Sequence, residues 1–597
     1  MLGSSLRARG VPTRKPIVLL AVPVILVAGA LPSRASPDAA PSPLSAPAPA
    51  TTPAADKTFT FYGSGWGHGV GMSQWGAYGL ALKGWTHARI LRHFYRGARV
   101  RPAPAGSPVT FRVGLAWGRG RLHLGARSGP VRLRVGKPTH PARFIIPSGA
   151  TWTISPASGR FAVRTGTGKL MGVVGGPATP LVATYEGAGA HVSIPEAGHS
   201  YARGHVELNV YRTCSTCAWH LRAIGVVTRQ QYLYGLGEVP SDWPMQAMEA
   251  QAVAARTYAL QRIADRGQHA PGCNCGLYPS TVDQVYIGYD KELEGRGWIK
   301  AVNRSAGQVM RYRGAVILAN YFSSSGGYTD SSRNAWGSAV PYLRPVCDPG
   351  DYTAANPNRT WVTRLTVTAV TTRLRNAGYD VGTVTSFSRI TRNVSSRIKG
   401  ITVNGTGGSD GKHERMSGVT FSNDLGLRDS RVFINRNLNV TGAIRRRYDA
   451  LRCAPGRARS PQRHPSNGAT QRFEVGAIYH NGRTDRTMWL RGAVYRKYVS
   501  LHGPWGFLGL PKRPVRSLHG LHGKRGLFDH GSIYFKRTTG AHELHGRVLK
   551  FYLSRGGAWS RLRFPTSDVR RRASGGTAAT FQGGRIVCPS SDRCRMA

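Results

Sequence analysis

The commonest pattern along the chain is a short run of β-branched and aromatic residues that ends at Gly, Pro, Ser or Asn. Between residues 101 and 230 such runs follow one another closely, as in "VTFRVGLAW", "VRLRVG", "TWTISP" and "HVELNVY". Runs of this length between turn residues are typical of β-strands. The pattern therefore predicts a strand-rich region over residues 101–230.

A different period begins at Pro244. Apolar side chains then recur at intervals of three and four residues, which places them on one face of a helix. They are Met245, Met248, Ala252, Ala255, Ala259 and Ile263. Pro244 suits the first helical turn, and Ser241 or Asp242 suits the cap. We therefore predict a core helix after residue 244, in a fold of the α+β class.

The last part of the chain repeats itself. "FEVGAIYH" begins at Phe473, "FDHGSIYF" at Phe528 and "FQGGRIVC" at Phe581, so the starts are 55 and 53 residues apart. Similarity at a fixed period indicates supersecondary units that bury their faces on one another. The sequence thus predicts a β-rich repeat domain over 471–597, preceded by a polar, basic linker over 456–470.

The N-terminus has the three parts of a secretory signal. Basic residues precede an apolar run from Ile17 to Leu31, and the small residues of "PSRAS" follow. The run is shorter than the roughly 20 residues of a membrane span. We predict a signal peptide over 1–35, with a retained anchor as the alternative, and a Pro/Ala-rich linker over 36–56.

The net charge of the chain indicates which class of partner it binds. The chain has 82 Lys and Arg against 28 Asp and Glu, a formal net charge of +54. Such an excess favours any polyanion. Export argues against nucleic acid and for anionic cell-wall polymers, so we expect a secreted, wall-associated protein.

Eight cysteines in an exported chain predict disulfides. Cys588 and Cys594 close a short loop, and Cys347 is a candidate partner for Cys453. The remaining residues leave an alternative open, because their side chains are zinc ligands by type. They are Cys214, Cys217, His220, Cys273 and Cys275. The Cys-x-Cys spacing is unusual for zinc, and we predict no metal and no cofactor.

One acid stands out in this basic chain. Glu238 lies in the loop "GLGEVP", where Gly235 and Gly237 allow a tight turn ahead of the predicted helix. Val239 and Trp243 are apolar neighbours, and burial among such groups raises a carboxyl pKa, as a general acid requires. A solvated or backbone-bonded loop glutamate is the alternative.

Several stretches together resemble the SpoIID/LytB family, named for stage II sporulation protein D. The main stretch is "YLYGLGEVPSDWPMQAMEAQAVAARTYAL", from Tyr232. "TVDQVYIG", "AGQVMRYRGAVILANYFSSSGGYTD", "YLRPVCDP" and "LGLRDSRVF" follow in the family's order. The resemblance covers roughly residues 200–440. The C-terminal repeats resemble LGFP repeats, which are associated with attachment to the cell wall; a packing repeat without a ligand is the alternative.

One family stretch is out of place. "GSGWGHGVGMSQWGAYGLALKGW" begins at Gly63, whereas in the family a near-identical stretch follows the "LGLR" strand. The order looks circularly permuted, which is tolerated where the original termini lie close together. The resemblance then implies that this stretch lies beside residues 425–435. It also implies one unit over 57–455, with 101–200 as a β-rich insertion.

The resemblance implies an activity. SpoIID-type members are lytic transglycosylases that cleave peptidoglycan between N-acetylmuramic acid and N-acetylglucosamine and leave a 1,6-anhydro sugar. The family's "NEMPASWP"-like loop aligns with "GEVPSDWP", which puts the catalytic position at Glu238, with Asp242 as runner-up. LytB-type members are described as amidase enhancers, so a wall-binding protein that acts on an amidase is the alternative.

The resemblance also implies a groove for glycan strands. The predicted substrate-binding residues are His68, Ser73, Gln74, Trp75, Arg256, Tyr258, Ser324, Ser325 and Gly326. A purely structural role in the helix is the alternative for Arg256 and Tyr258. Some family members bind zinc near an "FHSTSGG"-like motif, but the stretch here lacks that histidine, which argues against a family-type zinc site.

Overall fold

The computed structural model describes residues 57–591 and 593–597. The predicted signal peptide and the linker over 36–56 lie outside these residues. In the described part of the chain, none of the helices has the length and apolar character needed to cross a membrane. The fold is α+β, as predicted. Its first elements are β1 (Thr58–Gly63), β2 (Met72–Ser73), α1 (Gln74–Leu82), α2 (His87–Phe94) and β3 (Arg99–Pro102).

The strand-rich region forms two six-stranded antiparallel sheets. One has the order β4-β15-β14-β11-β6-β7 and the other β10-β9-β8-β5-β12-β13. Their strands are β4 (Thr110–Arg119), β5 (Leu122–Arg127), β6 (Val131–Val135), β7 (Ala142–Ile146), β8 (Thr151–Ala157), β9 (Arg160–Arg164), β10 (Leu170–Val174), β11 (Leu181–Tyr185), β12 (His191–Ile194), β13 (His199–Tyr201), β14 (His205–Tyr211) and β15 (His220–Thr228).

The predicted core helix follows these sheets and is buried on both sides. The elements are α3 (Arg229–Tyr234), α4 (Met245–Arg266), α5 (Tyr289–Leu293), α6 (Arg296–Arg304), β16 (Gln308–Tyr312), β17 (Ala315–Val316), β18 (Tyr321–Phe322) and α7 (Ser332–Trp336). Pro244 itself is the N-cap of α4, and no side chain caps it, so the expected cap at Ser241 or Asp242 does not form.

The strand-rich region shares its apolar core with the predicted helix. Met248, Ala252 and Ala259 on one face of α4 share a single apolar core with both six-stranded sheets. Its opposite face packs on α1 and α2 through Ala250 and Ala254. The strands continue to Thr228, within the strand-rich region predicted over 101–230. Because α4 follows directly from the Glu238 loop, this shared core holds that loop in place.

The displaced stretch lies where the resemblance placed it. β1 is the central strand of a three-stranded sheet with the order β19-β1-β23, and Tyr62 pairs with Phe433. This part contains β19 (Trp361–Thr366), α8 (Val367–Asn376), β20 (Val384–Arg392), β21 (Ile398–Gly408), β22 (Gly411–Ser417), α9 (Gly418–Asp424) and β23 (Val432–Ile434). The backbone of Gly67 then donates to the Arg428 carbonyl, so the first and last strands of the unit are adjacent.

The C-terminal region is a row of sheets, each packed on the helix that precedes it. The elements are α10 (Gly442–Ala450), β24 (Gly468–Arg472), β25 (Ala477–Asn481), β26 (Arg486–Leu490), α11 (Gly492–Ser500), β27 (Arg516–Leu518), β28 (Gly523–Phe528), β29 (Gly531–Lys536), β30 (Gly540–His545), α12 (Gly546–Ser554), β31 (Arg570–Arg571), β32 (Thr577–Phe581), β33 (Gly584–Cys588) and β34 (Arg595–Met596).

The linker predicted over 456–470 is instead part of the first repeat. Ala458 bridges to Phe473 and Arg463 to Thr470, as the first strand of a repeat does. The helix α10 also belongs here, since Tyr448 shares a core with the first sheet. The polar sequence concealed this because the pairing uses backbone groups and needs no apolar side chains.

All eight cysteines are paired as disulfides. Cys347–Cys453 and Cys588–Cys594 form as predicted. The pairs Cys214–Cys217 and Cys273–Cys275 are disulfides as well. These four sulfurs are therefore not thiolates, and the zinc alternative has no support from this arrangement.

Candidate active site

Glu238 opens into a surface cavity of about 620 Å³. The cavity lies where the stretch after β1, the end of the Glu238 loop, the middle of α4 and the segment around β18 come together. Its lining residues are Trp66, Gly67, His68, Gln74, Glu238, Tyr258, Arg262, Thr281, Val282, Asp283, Leu318, Asn320, Tyr321, Phe322, Ser323 and Trp336.

Each oxygen of the Glu238 carboxylate accepts a hydrogen bond, a short one at Oε1 and a longer one at Oε2. Its Oε1 accepts a hydrogen bond from the Val285 backbone N–H at 2.7 Å. The Gln74 side chain donates to Oε2 at 3.3 Å and to the Glu238 carbonyl at 3.2 Å. Burial raises the pKa of Glu238, and the hydrogen bonds from Val285, Tyr321 and Gln74 oppose that rise. The group is therefore biased toward the protonated form.

A chain of hydrogen bonds orients Tyr321, whose hydroxyl is the third donor to the Glu238 carboxylate. The Tyr232 hydroxyl donates to Gln284 Oε1 at 2.9 Å. Gln284 Nε2 donates to the Tyr321 hydroxyl at 2.8 Å and to the Ala255 carbonyl at 3.3 Å. An amide nitrogen cannot accept a proton, so the Tyr321 hydroxyl keeps its own proton for the Glu238 carboxylate. Burial also raises the pKa of Tyr321 well above its usual range.

A second carboxylate lines the cavity, but both its oxygens are occupied. Asp283 Oδ1 accepts from Arg262 Nε at 3.1 Å and from the Tyr258 hydroxyl at 3.3 Å. Oδ2 accepts from the Tyr278 backbone N–H at 2.8 Å and from Arg266. Its side chain is fully buried. Asp283 is thus a fixed anchor for two arginines, and it leaves Glu238 as the carboxyl group open to a ligand.

Part of the chain that lines this cavity matches a known family. Residues 219–312 match the family described as stage II sporulation protein, SpoIID. This segment of the chain is similar to SpoIID domains. Residues 508–560 match the LGFP repeat. Both resemblances expected from the sequence are confirmed.

Similar proteins cover the chain only in part. The amidase enhancer of Bacillus subtilis (strain 168) is 34% identical over 165 residues, 28% of this chain and 20% of that protein. Stage II sporulation protein D of Bacillus amyloliquefaciens is 28% identical over 157 residues, 24% of this chain and 44% of that protein. The same protein of Bacillus subtilis is 28% identical over 158 residues. The chain therefore spans less than half the length of each of these relatives.

Three of the predicted binding residues line the cavity together with Glu238. They are His68, Gln74 and Tyr258. Both ring nitrogens of His68 are engaged by backbone, Nδ1 by the Val70 N–H and Nε2 by the Tyr321 carbonyl, each at 3.1 Å. Burial lowers the pKa of His68 to about 4. It therefore presents a neutral ring face rather than a free hydrogen-bonding edge.

Three predicted serines form a buried layer behind the cavity. Ser73 Oγ donates to Asp351 Oδ1 at 2.9 Å, and Ser324 Oγ donates to the same carboxylate at 3.0 Å. Ser325 Oγ donates to Asp348 Oδ2 at 2.7 Å. Ser73 also caps α1. The sequence suggested substrate contact because hydroxyl groups can hydrogen-bond sugars. In the structure these hydroxyls donate to two buried aspartates instead.

The other three predicted residues also lie outside the lining. The Arg256 guanidinium is buried and donates to backbone carbonyls at and beyond the end of α6. Gly326 packs directly against Ser64, where a side chain would overlap it. Trp75 packs against Trp243, with 4.7 Å between ring centroids. Their positions support structural roles, and for Arg256 this was the stated alternative.

Sequence reasoning missed the residues that surround Glu238. Asp283, Gln284 and Val285 are consecutive in the quoted stretch "TVDQVYIG", yet no role was assigned to them. Tyr321 and Trp336 come from segments beyond the residues matched to the SpoIID family. A single sequence carries no signal for such neighbours, because they lie 45 to 98 positions after Glu238 in the chain.

Proposed function

We propose that this protein is an exported lytic transglycosylase of peptidoglycan. Glu238 would act as the single general acid and base, cleaving the bond between N-acetylmuramic acid and N-acetylglucosamine. The observation that carries the proposal is the Glu238 carboxyl itself. It has a raised pKa, lines an open cavity and is held at Oε1 by the Val285 N–H.

The proposed reaction returns the glutamate to its starting form. Protonated Glu238 gives its proton to the glycosidic oxygen, and the bond from that oxygen to C1 of the muramic acid breaks. The C6 hydroxyl oxygen of the same sugar bonds to C1, and its proton passes to the Glu238 carboxylate. The products are a 1,6-anhydro end and a free 4-hydroxyl on the glucosamine, and no water is consumed.

The arrangement of acids favours this reaction over hydrolysis. Glycoside hydrolases commonly need two available carboxyl groups, one acid and one base or nucleophile. Here Asp283 has both oxygens occupied by two arginines and two further donors. Asp242, the runner-up in the sequence, is exposed and does not line the cavity. One free carboxyl is what an intramolecular attack requires.

The remaining lining suits a glycan strand. Trp66 and Trp336 lie at the cavity and are 52% and 48% exposed, so their ring faces are open to a sugar. Gln74 and Tyr258 supply polar groups near Glu238. The LGFP repeats support a location at the cell wall, where anionic polymers would be further partners for a chain of net charge +54.

A second candidate has an observation of its own. One similar protein is named amidase enhancer. Under this hypothesis the cavity holds glycan without cutting it, and the chain stimulates a cell-wall amidase. The two candidates differ in whether the chain alone makes anhydro products.

The test uses the full-length protein with Glu238→Gln and, as a matched control in the same loop, Asp242→Asn. Each is incubated with purified peptidoglycan, intact and stripped of stem peptides, and the products are analysed by mass spectrometry. We expect anhydromuramyl ends from the wild type and from Asp242→Asn, and a loss of roughly 10²- to 10⁴-fold with Glu238→Gln.

Three other outcomes redirect the assignment. Loss of activity in Asp242→Asn alone moves the acid to Asp242. Hydrolysed, non-anhydro ends point to a hydrolase. No cleavage by any form, together with faster peptide release by an added wall amidase, supports the enhancer.

A further inference from the structure

Two cavities in the repeat region combine arginine side chains with an exposed tryptophan. The first, of about 260 Å³, is lined by Arg463 and Trp505 among others. The second, of about 620 Å³, is lined by Arg516 and Trp559. The two tryptophans are 57% and 64% exposed. Large indoles this exposed on two related units indicate a binding surface.

The arginines of the two cavities are equivalent in the repeat. Arg463 bridges to Thr470, and Arg516 pairs with Arg525 on the corresponding strand of the next unit. Each lies five residues after the position that bridges to the repeat's phenylalanine. Arg570 has the same place in the third unit.

The tryptophans are equivalent as well. Each ends a 3₁₀ turn, Gly503–Trp505 after α11 and Gly557–Trp559 after α12. In the first cavity the Arg463 guanidinium carbon is 6.0 Å from the centroid of the Trp505 ring. Among the described residues, the third unit has Arg570 but no tryptophan turn to face it. The combination of arginine and indole therefore recurs twice.

The first cavity carries unneutralised positive charge. Among the described residues, Arg436, Arg463 and Arg472 have no carboxylate at ion-pair distance, while Arg459 pairs with Glu474. None of the side chains that line the cavity is acidic. Three guanidinium groups are thus free to bind an anion beside an aromatic face.

The second cavity has the same character. Arg513 and Arg516 have no acidic partner in the part of the chain that the structure describes, and Arg525 donates only to the Ser532 hydroxyl, at 3.1 and 3.2 Å. Its lining also contains no acid. The two cavities thus place the same groups, arginine side chains and an exposed indole, at equivalent positions of neighbouring units.

We propose that these two cavities are paired sites for an acidic polysaccharide. In each site a guanidinium group binds the phosphate or carboxylate of the polymer, and the indole stacks on an adjacent sugar ring. A single site of this kind on the surface is weak. Two sites on neighbouring repeats bind one polymer jointly, and this gain does not require catalysis at Glu238.

The test must separate these sites from the general charge of the chain. The full-length protein is titrated with phosphorylated dextran, carboxymethyl dextran and neutral dextran at one ionic strength, and binding is followed by tryptophan fluorescence and sedimentation. The site variant is Arg463→Gln with Arg516→Gln. The matched control is Arg570→Gln with Arg571→Gln, which removes the same charge from exposed positions in the third unit.

We expect the site variant to weaken binding of an anionic polymer by roughly tenfold or more, and the control by roughly twofold or less. Trp505→Ala with Trp559→Ala should weaken it as well, with an unchanged thermal midpoint. The preferred polymer tells phosphate from carboxylate. Equal losses in site variant and control, or dextran binding as tight as that of both anions, would overturn the proposal.

Discussion

At the scale of single residues, the setting of Glu238 predicts how activity depends on pH. A general acid works in its protonated form, so activity is present below the folded-state pKa and is lost as pH rises through it. Burial raises the pKa of Glu238, which extends activity toward neutral pH, and the Tyr321 hydroxyl is among the groups that oppose the rise.

Tyr321→Phe should therefore move the alkaline limb of the activity profile to higher pH, because the carboxylate loses a donor. We expect a plateau rate lowered by less than roughly tenfold. The measurement is the pH profile of anhydro-product release. Tyr258→Phe is the control, since that hydroxyl bonds Asp283 instead. An unshifted limb in Tyr321→Phe, or an equal shift in the control, would show that this hydroxyl does not tune Glu238.

A buried pair of aspartates predicts a pH dependence of stability. Burial and the neighbouring Asp351 raise the pKa of Asp348 to about 7. A carboxyl with a raised folded-state pKa stabilises the fold below its unfolded pKa, and that stability is lost as pH rises to about 7.

Asp348→Asn should thus raise the free energy of unfolding at pH 8 by on the order of 1–3 kcal/mol. At pH 4 it should change little. Thermal unfolding at the two pH values makes the comparison. Asp485→Asn is a suitable control because that side chain is 91% exposed. A variant equally or less stable than the wild type at pH 8 contradicts the assignment.

The sequence made Glu238 a candidate because its signals are local. An acid after two glycines and beside apolar neighbours is visible in one short stretch, and the resemblance of that stretch to the SpoIID/LytB family implied the catalytic role. The residues that tune it are not, since Val285, Gln284 and Tyr321 reach it only through the fold. Ser324 and Ser325 show the opposite error, because a polar run resembles a binding wall until its buried aspartate partners are seen.

At the scale of elements, the glycine-rich stretch after β1 depends on close approach between backbones. Gly71 has φ of 84°, and a Cβ there would overlap the Asn320 carbonyl oxygen. Asn320 lines the cavity. The glycine is thus needed for both its backbone conformation and its lack of a side chain.

Gly71→Ala should cost more than its backbone strain alone. Gly84 provides the matched control, because its φ is 75° and nothing lies within 4 Å of its would-be Cβ. We expect about 1–2 kcal/mol of lost stability for Gly84→Ala, and at least about 3 kcal/mol for Gly71→Ala. Denaturant unfolding of both variants decides this, and equal losses would mean that the contact with Asn320 relaxes easily.

The elements also show why their boundaries were harder to predict from the sequence than their types. The helical period of α4 and the runs of β-branched and aromatic residues correspond to observed elements, because both patterns reflect burial. The stretch 456–470 was misassigned because it pairs through its backbone, as at Arg463 and Thr470.

At the scale of the whole molecule, the helix α10 joins the repeats to the cavity-forming part of the chain, which we propose to be the catalytic part. The helix α10 packs on the first repeat sheet, where Tyr448 stacks on Phe473 with 5.3 Å between centroids. The same helix supports the wall behind the cavity, since Arg445 donates to the Gly326 carbonyl and Cys453 is joined to Cys347. The first repeat is therefore part of what stabilises the active-site region.

Two shortened chains test this joint. A chain that ends at residue 455, the boundary read from the sequence, exposes Ile444 and Tyr448 on α10 and should lose about 4 kcal/mol of stability. A chain that ends at 513 keeps the first sheet, and its catalytic part should unfold near the wild-type temperature. Both are compared by calorimetry and by activity on soluble glycan strands. The 513 chain should keep that activity while binding acidic polymer more weakly, because it lacks Arg516 and Trp559.

If the 455 chain is as stable and as active as the 513 chain, the repeats contribute binding alone, and α10 belongs to the catalytic part without needing its sheet.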